Sequence, residues 1–396
     1  MTNNKLVPKL RFPEFKNDGE WRIYKLSDIA IKKREKNTSA IKLPVYTNSA
    51  LCGVVNQEEY FDREIVTKDN LVNYSIVEYN DFVYNPRISL AAPVGPISRN
   101  KLSKGIMSPL YLIFKFNDGC IDFFEQYFKG NYWHGYIKAK ANYGARFDRI
   151  NIATSDFMDM PISYPCIKEQ EKIAKCLLSL DKYIEATNQK LELLKKYKKG
   201  LIQKLFPARG KTIPELRFPE FKNDGEWEIA LIGDTIKNII PPKKLYSSEY
   251  QISGKYPIVD QSLKYIVGYS NDDTAVIHNK DFVIVFGDHT CVLKLINFPF
   301  IQGADGIKIF KSKFVDLITE YIYQYILVNP IIPIGYKRHF SDLKEKRLVY
   351  PTDVTEQCKI ANCLLSLDKY INATNKKLEL LKDYKKGLMQ QLFSKL

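Results

Sequence analysis

Glu169 to Phe206 reads EQEKIAKCLLSLDKYIEATNQKLELLKKYKKGLIQKLF, and Glu356 to Phe393 reads EQCKIANCLLSLDKYINATNKKLELLKDYKKGLMQQLF. The offset is 187, and seven of the 38 aligned positions differ. Apolar residues stand at Ile173, Leu177, Leu180, Ile184, Leu191, Leu194, Leu201 and Leu205, an alternation of four and three in which Thr187 and Lys198 fill the gaps. The second copy repeats it at Ile360, Leu364, Leu367, Ile371, Leu378, Leu381, Leu388 and Leu392, with Thr374 and Lys385 in the gaps. A stripe recurring every 3.5 residues is a coiled-coil seam, narrower than the face of an ordinary packed helix. Each helix would be about 50 Å long. Neither could bury such a stripe alone, so the expectation is two helices zipped to each other.

A second repeat precedes each half. Leu10–Trp21 (LRFPEFKNDGEW) recurs unchanged as Leu216–Trp227, here at an offset of 206, so the segment between repeats is 19 residues shorter in the second half. The plan is an opening motif, a variable domain and a seam helix, then all three again. Common borders build one frame, while unrelated interiors are free to recognise different things. The boundaries fall at 1–165 for the first domain with its opening motif, 166–206 for the central helix, 207–215 for an exposed linker, 216–351 for the second domain and 352–396 for the distal helix. The opening motif, rich in Pro, Phe and Asn-Asp-Gly, reads as an extended segment closing in a turn and anchored by Phe12, Phe15 and Trp21. Each domain ends in proline, Pro165 or Pro351. Asp353-Val-Thr-Glu356 has the spacing of a capping box, which the first copy, with Cys166, does not share.

The interiors mix short β-type runs with turn clusters. In the first domain these are Pro44–Thr47, Phe82–Tyr84 and Leu110–Phe116, with a helix over about Ile121–Phe128. In the second they are Tyr256–Val259, Thr274–His278, Phe282–Phe286 and Ile307–Phe310, with a helix over about Phe314–Ile326. The fold class is therefore α/β: two β-rich mixed domains separated by two long helices. The 396 residues suit two domains, and 45% apolar content supplies two cores. No apolar run is long enough to span a membrane. The polar amino terminus lacks a signal-peptide core, and seven cysteines without a C-x-x-C pair read as buried thiols in a reducing compartment. Together these features read as a cytoplasmic protein.

Catalytic chemistry finds no foothold. Gly210-Lys211-Thr212 looks like the end of a phosphate loop, but Leu205 stands where the first glycine belongs. Asn85-Pro86-Arg87 lacks the second proline and aromatic of an amino-methyltransferase loop. Glu14-Phe-Lys16 and Glu220-Phe-Lys222 lack the Pro-Asp half of a nuclease metal site. The four histidines have no zinc-ligand spacing, so no metal or cofactor bound by this chain is expected.

Charge is more informative. Sixty Lys and Arg against 45 Asp and Glu give +15, which favours a polyanionic partner. From Val83 to Asn117 there is no acid, but Arg87, Arg99, Lys101, Lys104 and Lys115 are present. From Gly130 to Phe147 there is again none, and Lys138, Lys140 and Arg146 are interleaved with Tyr132, Trp133, Tyr136, Asn142 and Tyr143. The second domain offers His289 and the acid-free run Tyr325–Ser341, with Tyr336, Lys337, Arg338 and His339. Lys and Arg suit phosphates, while Arg, Asn and aromatic tips reach base edges. The alternative is that the aromatics are core and the cations a solvated rim. Lys195-Lys196-Tyr197-Lys198-Lys199, on the seam helix, reads as a solvated or partner-facing surface.

Two variable domains, each followed by a long helix opening in Glu-Gln-x-x-Ile, resemble the specificity subunit of type I restriction-modification enzymes. Pro-x-Leu-Arg-Phe-Pro-x-Phe and Lys-Leu-Glu-Leu-Leu-Lys-x-Tyr-Lys-Lys-Gly-Leu are similar to motifs of that family, over the whole chain in order. So are Asp81-Phe-Val-Tyr-Asn-Pro-Arg87, Phe286-Gly-Asp-His289 and Gly303-Ala-Asp-Gly306. The resemblance implies a non-catalytic subunit whose two target-recognition domains each read half of a split site in double-stranded DNA. It implies antiparallel helices that set the gap, two modification subunits that methylate adenine, and restriction subunits. That complex would use S-adenosylmethionine, ATP and Mg2+. Base-contacting residues do not carry over, because the interiors vary within the family. Two rivals stand beside this reading: the specificity chain of a two-subunit enzyme that cuts on both sides of its site, and a coiled-coil scaffold that binds no DNA.

Overall fold

The computed structural model describes residues 6–38, 41–61, 72–142, 148–304, 306–333, 335 and 337–394. The chain divides into two compact units. One comprises Met1–Thr187 with Lys377–Leu396, and the other Asn188–Lys376. The central helix, Ile167–Leu205, and the distal helix, Val354–Leu392, therefore each give their first half to one unit and their second half to the other.

The two units share a strand plan, to which the second adds Lys244–Leu245 in its second sheet. In the first, the central strand Phe82–Tyr84 lies in a four-stranded sheet between Leu112–Phe116 and Ile97–Arg99, and Ala30–Lys32 completes the sheet beyond Leu112–Phe116. A second sheet runs Gly53–Asn56, Val45–Ser49, Gly105–Met107, Ser75–Val77. In the second unit Val283–Gly287 is central, between Ile307–Ser312 and Leu293–Ile296, with Ile236–Ile239 outermost. All five residues of Val283–Gly287 are buried, as expected of a strand covered on both faces. Alternation sends its side chains to two cores: Ile284 and Phe286 join the helices, while Val283 and Val285 pack with Val259, Phe300 and Ile309. Phe82 and Tyr84 likewise face one core of the first unit and Val83 the other. The helix expected over 314–326 is Thr319–Val328; Ser312 caps the bend before it, its hydroxyl donating to the Phe314 carbonyl and accepting from the Phe314 amide. The opening motif is not wholly extended, because Pro13–Phe15 and Pro219–Phe221 each make one 3-10 turn.

The seam helices do more than zip together. All the seam positions are buried or half-buried, in the same order along both copies. At the ends, however, the stripe enters domain cores. Ile173 and Leu177 share the first unit's core with Leu388, Leu392 and Phe393, and Ile360 and Leu364 share the second's with Leu201, Leu205 and Phe206. The tail of each helix thus plugs the domain that the other helix follows. Within each unit the start of one helix meets the end of the other, so the pairing is antiparallel. The gap lysines close it electrostatically: Lys385 pairs with Asp181 in the first unit and Lys198 with Asp368 in the second. Thr187 and Thr374 donate to the carbonyls four residues back.

The identical borders lock these junctions. Arg11 donates two bonds of 2.8 Å to the buried carboxylate of Glu169, and Arg217 does the same to Glu356 at 2.7 and 2.8 Å. The neighbouring glutamine holds the domain: Gln170 accepts from the Cys120 amide, and Gln357 from that of Ile318. The capping box is only half formed, since Asp353 accepts from the Thr355 amide but Glu356 is turned to Arg217. The cysteines also depart from expectation. All are free, but Cys52 and Cys166 are exposed and the other five half-buried. Among the described residues no His, Cys, Asp and Glu cluster could hold a metal, and no helix is long and apolar enough to cross a membrane.

Candidate nucleic-acid interface

One juncture is built twice. In each unit the loop leaving the central strand meets the segment that precedes the last short helix. In the first, Ile88 donates its amide to Asp148 and Ile150 donates to Pro86, which sets Arg87 opposite Arg149. In the second, His339 donates its amide to the Asp288 carbonyl, and the Phe340 amide donates to the Asp288 carboxylate. His289 Nδ1 lies 3.2 Å from the carbonyl of Lys337. Chain segments about 60 residues apart in the first unit and about 50 apart in the second are thereby brought together. At the second juncture Asp288 donates its amide to the carbonyl of Gly306, whose φ is +87°, and Ala304 takes the left-handed region at φ +49°.

The individual residues divide. Arg87 is exposed, with its guanidinium 3.7 Å from Asp148. Lys138 and Lys140 are exposed on the helix His134–Lys140, and Asn142 is exposed beside Asn151. Arg338 is exposed, as is Lys337, which is paired with Asp342 at 2.9 Å. Lys337 and His339 hold the Asp342 carboxyl below its ordinary range. Lys101 and Lys104 are exposed but paired with Glu125 and Glu78. Tyr143, Arg146 and Tyr336 lie outside the described residues.

Two nominated residues are turned inward. Arg99 is turned inward, donating to Asp122, Glu125 and the Asn80 side chain, and holds its domain together. His339 is fully buried, and its Nδ1 stands 3.0 Å from Asp342. It anchors the segment that presents Lys337 and Arg338 instead of presenting itself. The aromatics between the cations are also largely core: Trp133 is buried, and Tyr136 donates to the Asp156 carbonyl. Among the described residues the rings thus lie inward while Lys138 and Lys140 are on the surface.

Sequence reading missed the strongest feature of the first unit. A cleft of about 740 Å³ is lined by Lys32, Lys33, Arg34, Lys36 and Arg149, together with Tyr111, Asn151 and Thr154, and has no acid in its lining. It adjoins the juncture through Pro86 and Arg149. A second groove, of about 760 Å³, is lined by Leu51, Arg99, Lys101, Lys129, Lys382 and Lys386, with Glu125 pairing Arg99 and Lys101. The missed signal was the run Lys32-Lys33-Arg34, hidden by Glu35 beside it. In the second unit Lys294 is buried, donating to the carbonyls of Asp260 and Lys264; burial pulls its ammonium down, against Asp260.

Over 312 residues the chain is 25% identical to a putative type I restriction enzyme specificity subunit (MjaX) of Methanocaldococcus jannaschii, covering 74% of this chain and 69% of that protein. It is 27% identical over 206 residues to the MjaVIII specificity subunit of the same organism, covering 47% of this chain and 45% of that protein. The fold matches the crystal structure of a type I restriction-modification S subunit from M. genitalium, with TM-score 0.66, 14% identity and coverage of 98% and 100% of the two chains. A chain from a structural study of type I assembly and conformational transition matches with TM-score 0.51, 13% identity and coverage of 94% and 97%. Residues 18–196 match the family model of the type I restriction modification DNA specificity domain, and the chain resembles type I restriction enzyme specificity subunits in its repeats, its sequence and its fold.

Proposed function

We propose that this chain reads a split sequence in double-stranded DNA, one half with each variable domain, and docks adenine-methylating modification subunits together with restriction subunits. The observation that carries this is the duplicated juncture, which sets cations and side-chain donors beside a left-handed or proline-bearing loop in both units. In the first domain the DNA-facing set is Lys32, Arg34, Lys36, Arg87, Arg149 and Asn151, with Lys138, Lys140 and Asn142 at its margin. In the second it is His289, Lys337 and Arg338. The cations engage phosphates and fix register, and the shorter polar side chains read base edges.

Docking is supported by a second duplication. Leu193 and Tyr197, four residues apart on the central helix, are 66% and 62% exposed, and their counterparts Leu380 and Tyr384 are 60% and 62% exposed. Two matching apolar faces suit two copies of one partner, here the modification subunit. The test is methylome mapping in cells carrying this chain with its modification subunits. A split, adenine-methylated sequence is expected, and methylation of a continuous site or none would overturn the reading. The two-subunit rival would be distinguished by cleavage on both sides of that site.

A further inference from the structure

We infer that the tips of two equivalent hairpins, at Leu51 and Leu263, enter the DNA groove and select an A·T pair through apolar contact with the thymine methyl. This rests on the reading of both domains as DNA-binding. The hairpins occupy one place in the fold. Val45–Ser49 runs antiparallel to Gly53–Asn56 and parallel to Gly105–Met107, and Tyr256–Val259 runs antiparallel to Gly268–Ser270 and parallel to Phe300–Gly303. Leu51 is 82% exposed and Leu263 is 91% exposed. A lone exposed leucine is ordinary. These two are held out on braced turns. The ammonium of Lys294, 4% exposed, donates to the carbonyls at both ends of the stretch 260–264. Burying that charge is costly, and here it sets the shape of a surface loop. The Ser262 amide donates to the Asp260 carboxylate, and Thr290, next to His289, donates to the Gln261 carbonyl, which fastens the loop to the juncture. In the first domain the Ser49 hydroxyl accepts from the amides of Leu51 and Cys52, and Gly53, at φ +69°, closes the turn. Thymine differs from cytosine in the major groove partly by its methyl, the group an apolar tip can select.

The experiment compares complexes of the full chain and its modification subunits carrying Leu51→Ala or Leu263→Ala, first by methylome and then by competition with duplexes altered at single positions. Leu51→Ala is expected to relax one A·T position in one half of the site and Leu263→Ala one in the other, each by roughly tenfold. The untouched half reports that the protein is folded. An unchanged methylome from both variants overturns the inference, and so does equal loss across both halves. A wild-type complex that methylates no split site would instead overturn the DNA-reading proposal, before either variant is compared.

Discussion

Arg11 and Arg217 are identical members of an internal repeat, and both are buried against a carboxylate that opens a seam helix. Removing one partner strands the other charge in a site without water, which costs about 3–5 kcal/mol. Arg217→Ala should therefore lower the melting temperature sharply, and Arg217→Met with Glu356→Gln should recover much of the loss; equal melting of the single variant and wild type would refute the lock. Arg99→Ala should likewise lower stability while leaving sequence preference intact. Arg338→Ala and Arg87→Ala should do the opposite, weakening DNA binding at unchanged melting temperature and flattening its salt dependence. Composition could not separate these arginines. Acid-free runs mark where cations are dense along the chain, but Arg99 is claimed by Asp122 and Glu125, which lie more than 20 residues away.

At the scale of the element, the seam helix is a rod whose two ends belong to two cores. Phe393 packs on Phe123, Tyr127 and Tyr132, with ring centroids 5.2–5.8 Å apart. Phe393→Ala is expected to cost about 3–5 kcal/mol, as for other large core residues. Hydrogen exchange should show that loss in the first unit and spare the second; uniform loss in both would contradict the division. Two residues inserted after Thr187 would rotate the stripe by about 200° and should abolish folding or assembly. The helices were readable because a 3.5-residue period is a local property of the chain. That Leu205 and Leu392 would serve domain cores was not, since nothing in their own helix distinguishes them from Leu191.

For the whole molecule, matching borders around interiors of different sequence carry the expectation that the domains can be exchanged. Replacing Arg22–Pro165 with the equivalent segment of a specificity subunit should change one half of the methylated sequence only; a change in both halves would end the modular reading. If the helices set the gap between half-sites, four residues inserted after Thr187 and four after Thr374 should change the unread gap and not the read bases. Each insertion adds about 6 Å. At about 3.4 Å per base pair, the ceiling is between one and two base pairs. The Lys385–Asp181 and Lys198–Asp368 pairs lie on either side of the insertions and would be kept. An active variant that still uses the original gap would remove the ruler.

The order of modules and the seam follow from the sequence alone, because repeats and heptad spacing are properties of neighbours along a chain. The cleft of Lys32, Arg34, Lys36 and Arg149, the burial of His339 and the bracing of Leu263 by Lys294 were decided only by tertiary structure. Each depends on which distant segment a strand crossing brings alongside, and whether a cation faces water or an acid is settled there.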